Sequence, residues 1–244
     1  MSQPLDLLFL GSGNAFAAGR YWSSFLLNGR YLFDASPVVL PHLKQSGVAL
    51  EEIEAVFISH FHGDHFFGLP FLLLEYAELT QREKDLTVLG PPGIEERVRT
   101  VTLAGFPNVY RNDPGYRQTY LDLRDGLEGE VAGLKYLARA VTHVPGLQCF
   151  GFRVELGGRT LAYSGDSMLC DALLDLADGA DVFVVECSCW DGSCGPHLGP
   201  GDIRELRRRL GPKPAFILTH LDAGQHDLGI ENVLVASDLA RFSL

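Results

Sequence analysis

Apolar positions along this chain fall into short runs of two periods, and the way those periods alternate sets an element order. Leu5 to Leu10, Ser24 to Leu27 and Tyr31 to Phe33 are rich in aromatic and branched residues and are separated by glycine-bearing turns. Asn28-Gly29 between two of them is a strong hairpin signal, because both residues tolerate positive φ. The first part of the chain therefore reads as a meander of strands. Pro37 to Ser46 follows as a helix, Ala55 to Ile58 as a buried strand, Leu69 to Leu79 as a helix, Leu86 to Leu89 as a strand, and Pro92 to Leu103 as a helix. Gly105 to Arg117 is weakly patterned.

The second part repeats this order. Leu134 to Ala140, Cys149 to Glu155 and Thr160 to Tyr163 read as strands, followed by a helix near Met168 to Ala177. Asp181 to Glu186 and Ala215 to Leu218 are apolar enough for buried strands, and Pro200 to Leu210 between them has helical spacing at Ile203, Leu206 and Leu210. Two β-rich halves with helices at their ends predict an α/β protein, a four-layer αββα sandwich with two sheets face to face and helices outside. No linker or repeat divides the chain, so one domain over residues 1–244 is expected.

Charge narrows the function classes. Twenty Lys and Arg against thirty-one Asp and Glu give a net charge of −11, which repels polyanions unless cations intervene and argues against extended nucleic-acid binding. Met1 to Gly11 has neither a basic n-region nor a small-residue cleavage site, and no apolar run approaches the roughly 20 residues that span a bilayer. The expectation is a soluble, cytoplasmic protein without membrane contact, its five cysteines reduced.

The chemistry concentrates in Ser59-His60-Phe61-His62-Gly63-Asp64-His65, directly after a predicted strand. Alternate residues of an extended segment face the same way, so His60 and His62 can chelate one ion, while a turn at Gly63 swings Asp64 and His65 elsewhere. One loop can thus serve two metals, which then need further ligands. His143 follows the strand Leu134 to Ala140, Asp166 follows Thr160 to Tyr163, and His220 follows Ala215 to Leu218. Each alone has a bland reading, a loop histidine or, for Asp166, a helix N-cap ahead of Met168. Their shared place at strand ends favours the metal reading.

With these residues in view, the sequence resembles the metallo-β-lactamase-fold hydrolases, and among them the ribonuclease Z and cyclic-phosphodiesterase branch. Leu10-Gly11-Ser12-Gly13 matches the early glycine loop, Asp34 the strand-end aspartate, and His60, His62, Asp64 and His65 the His-x-His-x-Asp-His signature. Gly68-Leu69-Pro70, Gly90-Pro91-Pro92-Gly93, Ser164-Gly165-Asp166 and Leu218-Thr219-His220 extend the likeness over nearly the whole chain. The resemblance implies two divalent ions, one held by His60, His62 and His143, the other by Asp64, His65 and His220, with Asp166 bridging. Zinc suits these ligands best, and manganese or iron also fits. The resemblance further implies a hydrolase in which a metal-bridging hydroxide attacks, oriented by Asp64, with His197 as general acid. A homodimer is consistent with it.

Other residues carry less. Ser12 and Asn14 could meet substrate or simply make a turn, and Arg204, Arg207, Arg208 and Arg209 read as a solvated helix face. Cys187, Cys189 and Cys194 lack metal spacing, and His42 and His226 stay unassigned, His226 being close to His220 in sequence and no more. Ribonuclease Z enzymes that cut tRNA precursors carry a long arm, which in the bacterial forms compared lies between the residues matching His143 and Asp166. Only 23 positions separate those two residues in this chain. A small or cyclic phosphodiester is the expected substrate. The alternatives are an arm-less tRNA 3′ endonuclease, an ester, lactone or thioester hydrolase, and a metal-binding sensor or partner subunit.

Overall fold

The computed structural model describes residues 4–190, 195–224 and 227–244. In chain order its first part runs β1 (Asp6–Gly11), β2 (Ser24–Leu27), β3 (Tyr31–Phe33), α1 (Val39–Gln45), β4 (Ala55–Phe57), α2 (Gly63–Phe66), α3 (Leu69–Glu78), β5 (Leu86–Gly90), α4 (Ile94–Gly105) and β6 (Gln118–Asp122). Next come β7 (Leu127–Val131), β8 (Leu134–Val141), β9 (Cys149–Leu156), β10 (Arg159–Tyr163), α5 (Asp171–Ala177), β11 (Val182–Glu186), α6 (Pro200–Leu210), β12 (Ala215–Thr219), β13 (Val233–Val235) and β14 (Arg241–Ser243). Two seven-stranded sheets result, β14-β1-β2-β3-β4-β5-β6 and β13-β12-β11-β10-β9-β8-β7. Asn28 and Gly29 both adopt positive φ between β2 and β3, as their turn chemistry demands.

Three apolar layers make this the expected four-layer sandwich. Between the sheets, Phe25 stacks on Phe33 at 4.7 Å and Phe33 on Phe57 at 4.8 Å, while Phe152 meets Phe57 edge-on at 5.3 Å from the second sheet. Each such ring, fully buried, contributes about 1.5–3 kcal/mol. Leu32, Val56 and Val88 face the other way, against Val39 of α1, Leu72 of α3 and Val98 of α4. Phe183, Val185 and Phe216 do the same against Leu173 and Leu176 of α5 and Ile203 and Leu206 of α6. Strands buried on both faces lose the period-two signal, which is why they read as continuous apolar runs.

Four strands were not expected from the pattern. β6 and β7 lie at sheet edges with mixed, half-exposed side chains, and β13 and β14 have three residues each. α5 begins at Asp171 rather than Met168, so Asp166 does not cap it. Cys149, Cys170 and Cys187 are free thiols, whereas Cys189 is disulfide-bonded, against the expectation that all were reduced. Cys194 and His226 lie outside the described residues. No helix among the described residues is long and apolar enough to cross a membrane.

The direction of the strands positions the chemistry. β3, β4 and β5 are mutually parallel, as are β10, β11 and β12, so within each sheet their C-terminal ends emerge together. β8 runs antiparallel to β9, which runs antiparallel to β10, so β8 ends on that side too. The Phe150 amide donates to the Ser59 carbonyl at 3.0 Å and ties the two sheets there. Gly68, between α2 and α3, is pressed so close that a Cβ would stand 1.9 Å from the Ser36 carbonyl oxygen. Gly68→Ala is therefore expected to cost about 2–3 kcal/mol through forced backbone displacement, read as a lowered urea midpoint at unchanged m-value. A midpoint equal to wild type would show that the backbone there yields freely.

Candidate metal centre

Every group expected at the centre from the histidine segment and the strand ends is brought to one place. His60, His62, His143 and Asp166 offer ligand atoms all within 4.8 Å of one another, and so do Asp64, His65 and His220. Asp166 Oδ2 lies between the sets, 3.3 Å from Nε2 of both His65 and His220, 3.8 Å from His60 Nε2 and 3.9 Å from His143 Nε2. Asp64 Oδ2 stands 3.4 Å from His65 Nε2 and 3.5 Å from His220 Nε2. The backbone behaves as the spacing predicts: His62 is extended and α2 begins at Gly63, turning Asp64 and His65 away from His60.

What each ring offers is fixed by what lies behind it. His65 Nδ1 faces Asp34 Oδ2 at 2.8 Å, and a carboxylate only accepts, so the proton is on Nδ1. His143 Nδ1 donates to the Pro196 carbonyl at 2.9 Å. The Ser188 hydroxyl gives its proton to the His220 carbonyl, so its oxygen accepts from His220 Nδ1 at 2.6 Å. Ser59 repeats the logic: its hydroxyl donates to Asp34 Oδ2 at 2.9 Å and accepts from His60 Nδ1 at 2.9 Å. All four rings therefore turn Nε2 inward, a lone pair whenever the ring is neutral, and His62 adds Nδ1, 3.4 Å from His143 Nε2. Imidazole nitrogens and carboxylate oxygens converge there, and the carboxylates draw a second proton onto His65.

Such a set fits a divalent cation. His60 Nε2 and Asp166 Oδ1 are buried without a hydrogen-bond partner, a costly state unless an ion satisfies them. Ligand atoms about 2.0–2.2 Å from a tetrahedral ion stand roughly 3.3–3.6 Å apart, and the 3.3–3.5 Å separations around His65, His220 and Asp64 match. Electrostatics agrees. Burial, with the neighbouring His65, holds His60 well below its ordinary range, and burial lowers His62 and His143, so these rings stay neutral and available. Burial would raise Asp166, but His220, His65 and His60 outweigh it and hold the carboxyl well below the usual range. His65 moves the other way: burial lowers it, but the charges of Asp166 and Asp34 prevail and raise it well above 6.5, so a cation bound there displaces a proton.

His197 borders the same cluster, 4.0 Å from Asp166 Oδ2 and half-stacked on His220 with ring centres 5.3 Å apart. Its Nδ1 donates to Glu186 Oε1 at 2.8 Å. Burial lowers His197, but the bond to Glu186 outweighs it and the net shift is upward. Burial raises Glu186, partly offset by that same bond. The Ser167 and Ser188 amides, at 2.8 and 3.3 Å, pin the Glu186 carboxyl in place.

Glu186, Ser188 and Ser59 were missed by sequence reasoning, and Asp34 was noted without a role. The signal was present, since Glu186 ends the apolar strand β11 just as Asp34 follows β3. Tyr163 also donates to Asp34 Oδ2 at 2.7 Å, making that carboxylate the shared support of three groups. Ser12 and Asn14 serve turns: Ser12 bonds Asp238 at 2.8 Å, and Asn14 Oδ1 accepts from the Phe16 amide at 2.9 Å. Arg208 pairs with Glu205 and Arg209 with Asp171 on an exposed face, while Arg207 leaves it to cover the Phe216 ring and bond three carbonyls.

Known proteins share the family and the fold. Residues 29–221 match the model of the beta-lactamase superfamily domain. A ribonuclease Z of Methanosarcina mazei is 25% identical over 303 aligned positions covering 96% of each chain. Among solved structures, the metallo-beta-lactamase fold protein YhfI of Bacillus subtilis superposes with a TM-score of 0.80 at 21% identity, over 99% of this chain and 100% of that one. A diphosphatase of the PhnP family superposes with a TM-score of 0.76 at 17% identity, over 98% of both.

The supports behind the ligands generate a test. Asp34→Asn keeps size but replaces the carboxylate that fixes Ser59, His65 and Tyr163, so zinc affinity is expected to fall about 10- to 100-fold. A competition titration with a chromogenic chelator reads it, and unchanged affinity would remove Asp34 from the account.

Proposed function

The chain belongs to the beta-lactamase superfamily, and from that premise we propose that it is a metal-dependent hydrolase of phosphodiesters whose substrate is a small or cyclic phosphodiester. The observation that carries the proposal is the convergence of five imidazole rings and two carboxylates beside a histidine held separately by a buried glutamate. His60, His62 and His143 would hold one ion and Asp64, His65 and His220 a second, with Asp166 between them; zinc suits the donors, as would manganese or iron. When bound, the two ions supply Lewis acidity that activates water near neutral pH and neutralises charge on the phosphoryl oxygens.

The chain's own groups divide the remaining work. Although burial would raise Asp64, its bonds to His220 and His65 hold it below the ordinary carboxylate range, so it stays ionised and can orient attacking water as an acceptor. His197 Nδ1 keeps its proton on Glu186, which leaves Nε2 to carry the proton given to the leaving oxygen. The upward shift keeps the doubly protonated ring populated near neutral pH, the state a general acid requires. Glu186 fixes both the ring's orientation and its charge.

Size and charge support a small substrate. Between His143 and Asp166 the chain makes only the antiparallel pair β9 and β10, with no room for an arm. The alignment with the Methanosarcina relative has 303 positions against 244 residues, so at least 59 have no counterpart in this chain. The net charge of −11 opposes a long polyanion. An arm-less tRNA 3′ endonuclease is the second reading, favoured by the ribonuclease Z relative that spans 96% of the chain.

Zinc-loaded protein assayed on bis-p-nitrophenyl phosphate, with a cyclic nucleotide and a precursor tRNA beside it, tests the reading. Turnover of the diester and the cyclic nucleotide is expected. Intact ions without diester turnover would overturn it, and tRNA cleavage without cyclic nucleotide turnover would select the second reading. His62→Ala is expected to lose metal and activity together. His197→Ala should retain its metal and lose roughly 100- to 10,000-fold in kcat; normal turnover by that variant would exclude His197 as the acid.

A further inference from the structure

Three of the large apolar side chains left in water, Phe67, Met168 and Phe16, lie on segments that carry or adjoin candidate metal ligands. Phe67, 51% exposed, lies two residues beyond His65, with its ring over Gly63 between His62 and Asp64. Met168, 43% exposed, lies two residues beyond Asp166, and its amide donates at 2.6 Å to the carbonyl of Thr142, the neighbour of His143. Phe16, 95% exposed, sits on the loop from Ser12 to Trp22. That loop abuts the cluster because the Asn14 amide donates to the Leu221 carbonyl and the Leu221 amide to the Ser12 carbonyl, both at 2.8 Å, and Leu221 follows His220.

The Phe16 loop is fixed on both sides of its tip. The Ser12 and Gly13 amides both donate to the Tyr21 carbonyl, at 2.9 and 2.7 Å. Asp238 accepts from the Ser12 amide and hydroxyl and from the Tyr21 amide, and the Trp22 indole donates to the Ala15 carbonyl. Arg20 is the loop's one basic residue, and its guanidinium is committed to Ser12 Oγ and to the carbonyls of Ala236 and Gly224. The loop thus holds out an aromatic ring and no uncommitted cation. Such a surface suits one phosphate with a flat substituent better than a run of backbone phosphates.

We propose that Phe16 is a specificity-determining residue of this site, a preformed stacking platform for a flat aromatic substituent on the substrate phosphate, such as a nucleobase. The proposal rests on the phosphodiesterase reading and deepens it. A phenylalanine ring offers no hydrogen bonds, so the platform accepts any base and discriminates only against substrates without one. Phe67 and Met168 are further exposed apolar side chains, on the segments that carry His65 and Asp166.

Calorimetric titration of the zinc-loaded protein with adenosine 5′-monophosphate and with ribose 5-phosphate isolates the base, since sugar and phosphate are shared. The base is expected to tighten binding about tenfold, with the preference lost in Phe16→Ala and kept in Phe16→Tyr. Equal affinities in the wild type, or a preference that survives Phe16→Ala, would overturn the platform. So would a Phe16→Ala change confined to sedimentation, which would assign the ring to contact with a second copy. Diester turnover on the same wild-type sample separates the two claims. A base preference without turnover leaves the platform and refutes the phosphodiesterase, and turnover without a base preference does the reverse.

Discussion

The centre depends on hydrogen bonds made on the far side of its histidines. His60, His65, His143 and His220 each commit Nδ1–H to an acceptor fixed by the fold: the Ser59 hydroxyl, Asp34, the Pro196 carbonyl and the Ser188 hydroxyl. A ring so anchored has no choice of tautomer, and its Nε2 lone pair must point at the others. Four rings treated alike, with Asp64 and Asp166 among them, make a pocket rich in acceptor atoms. Cations are the natural complement, and the upward shift of His65 shows how strongly the carboxylates draw positive charge inward. Supporting groups of this kind set a metal site's affinity and geometry as much as the ligands do.

That arrangement is available because the sandwich delivers strand ends to one place. Parallel pairing within each sheet aligns β3 with β4 and β10 with β11 and β12, so Asp34, His60, Asp166, Glu186 and His220 all emerge at or just past the ends of buried strands. The strands are held by aromatic packing between the sheets and by helices outside. Gly165, at a φ of +56°, shows how tight the junction is: a Cβ there would meet the Phe150 carbonyl at 2.6 Å and Ser59 Cβ at 3.0 Å. The second sheet can carry Asp166 up to the His60 segment of the first only because that position has no side chain.

The residues that gather in the candidate site could be picked out in the sequence because they are chemically rare and follow apolar runs. His60 and His62 announce themselves by alternation, and His143, Asp166 and His220 by their place after strands. The supporting residues were hidden for the opposite reason. Serines and carboxylates are common, and nothing local distinguishes Ser188 from any loop serine until the fold sets it against His220, 32 positions away. Glu186 was within reach of the strand-end criterion and was passed over. Edge strands escaped because half-exposed segments such as β6 mix polar and apolar positions, and β13 and β14 are too short to show a period.

Histidine ring nitrogens report both protonation and metal binding in their 15N shifts, so the central claim has a direct test. In 15N-labelled, zinc-loaded protein, a long-range 15N–1H correlation spectrum should show Nδ1 protonated and Nε2 shifted by metal for His60, His65, His143 and His220. Protonated Nε2 on two or more of these rings, with zinc present, would contradict the account.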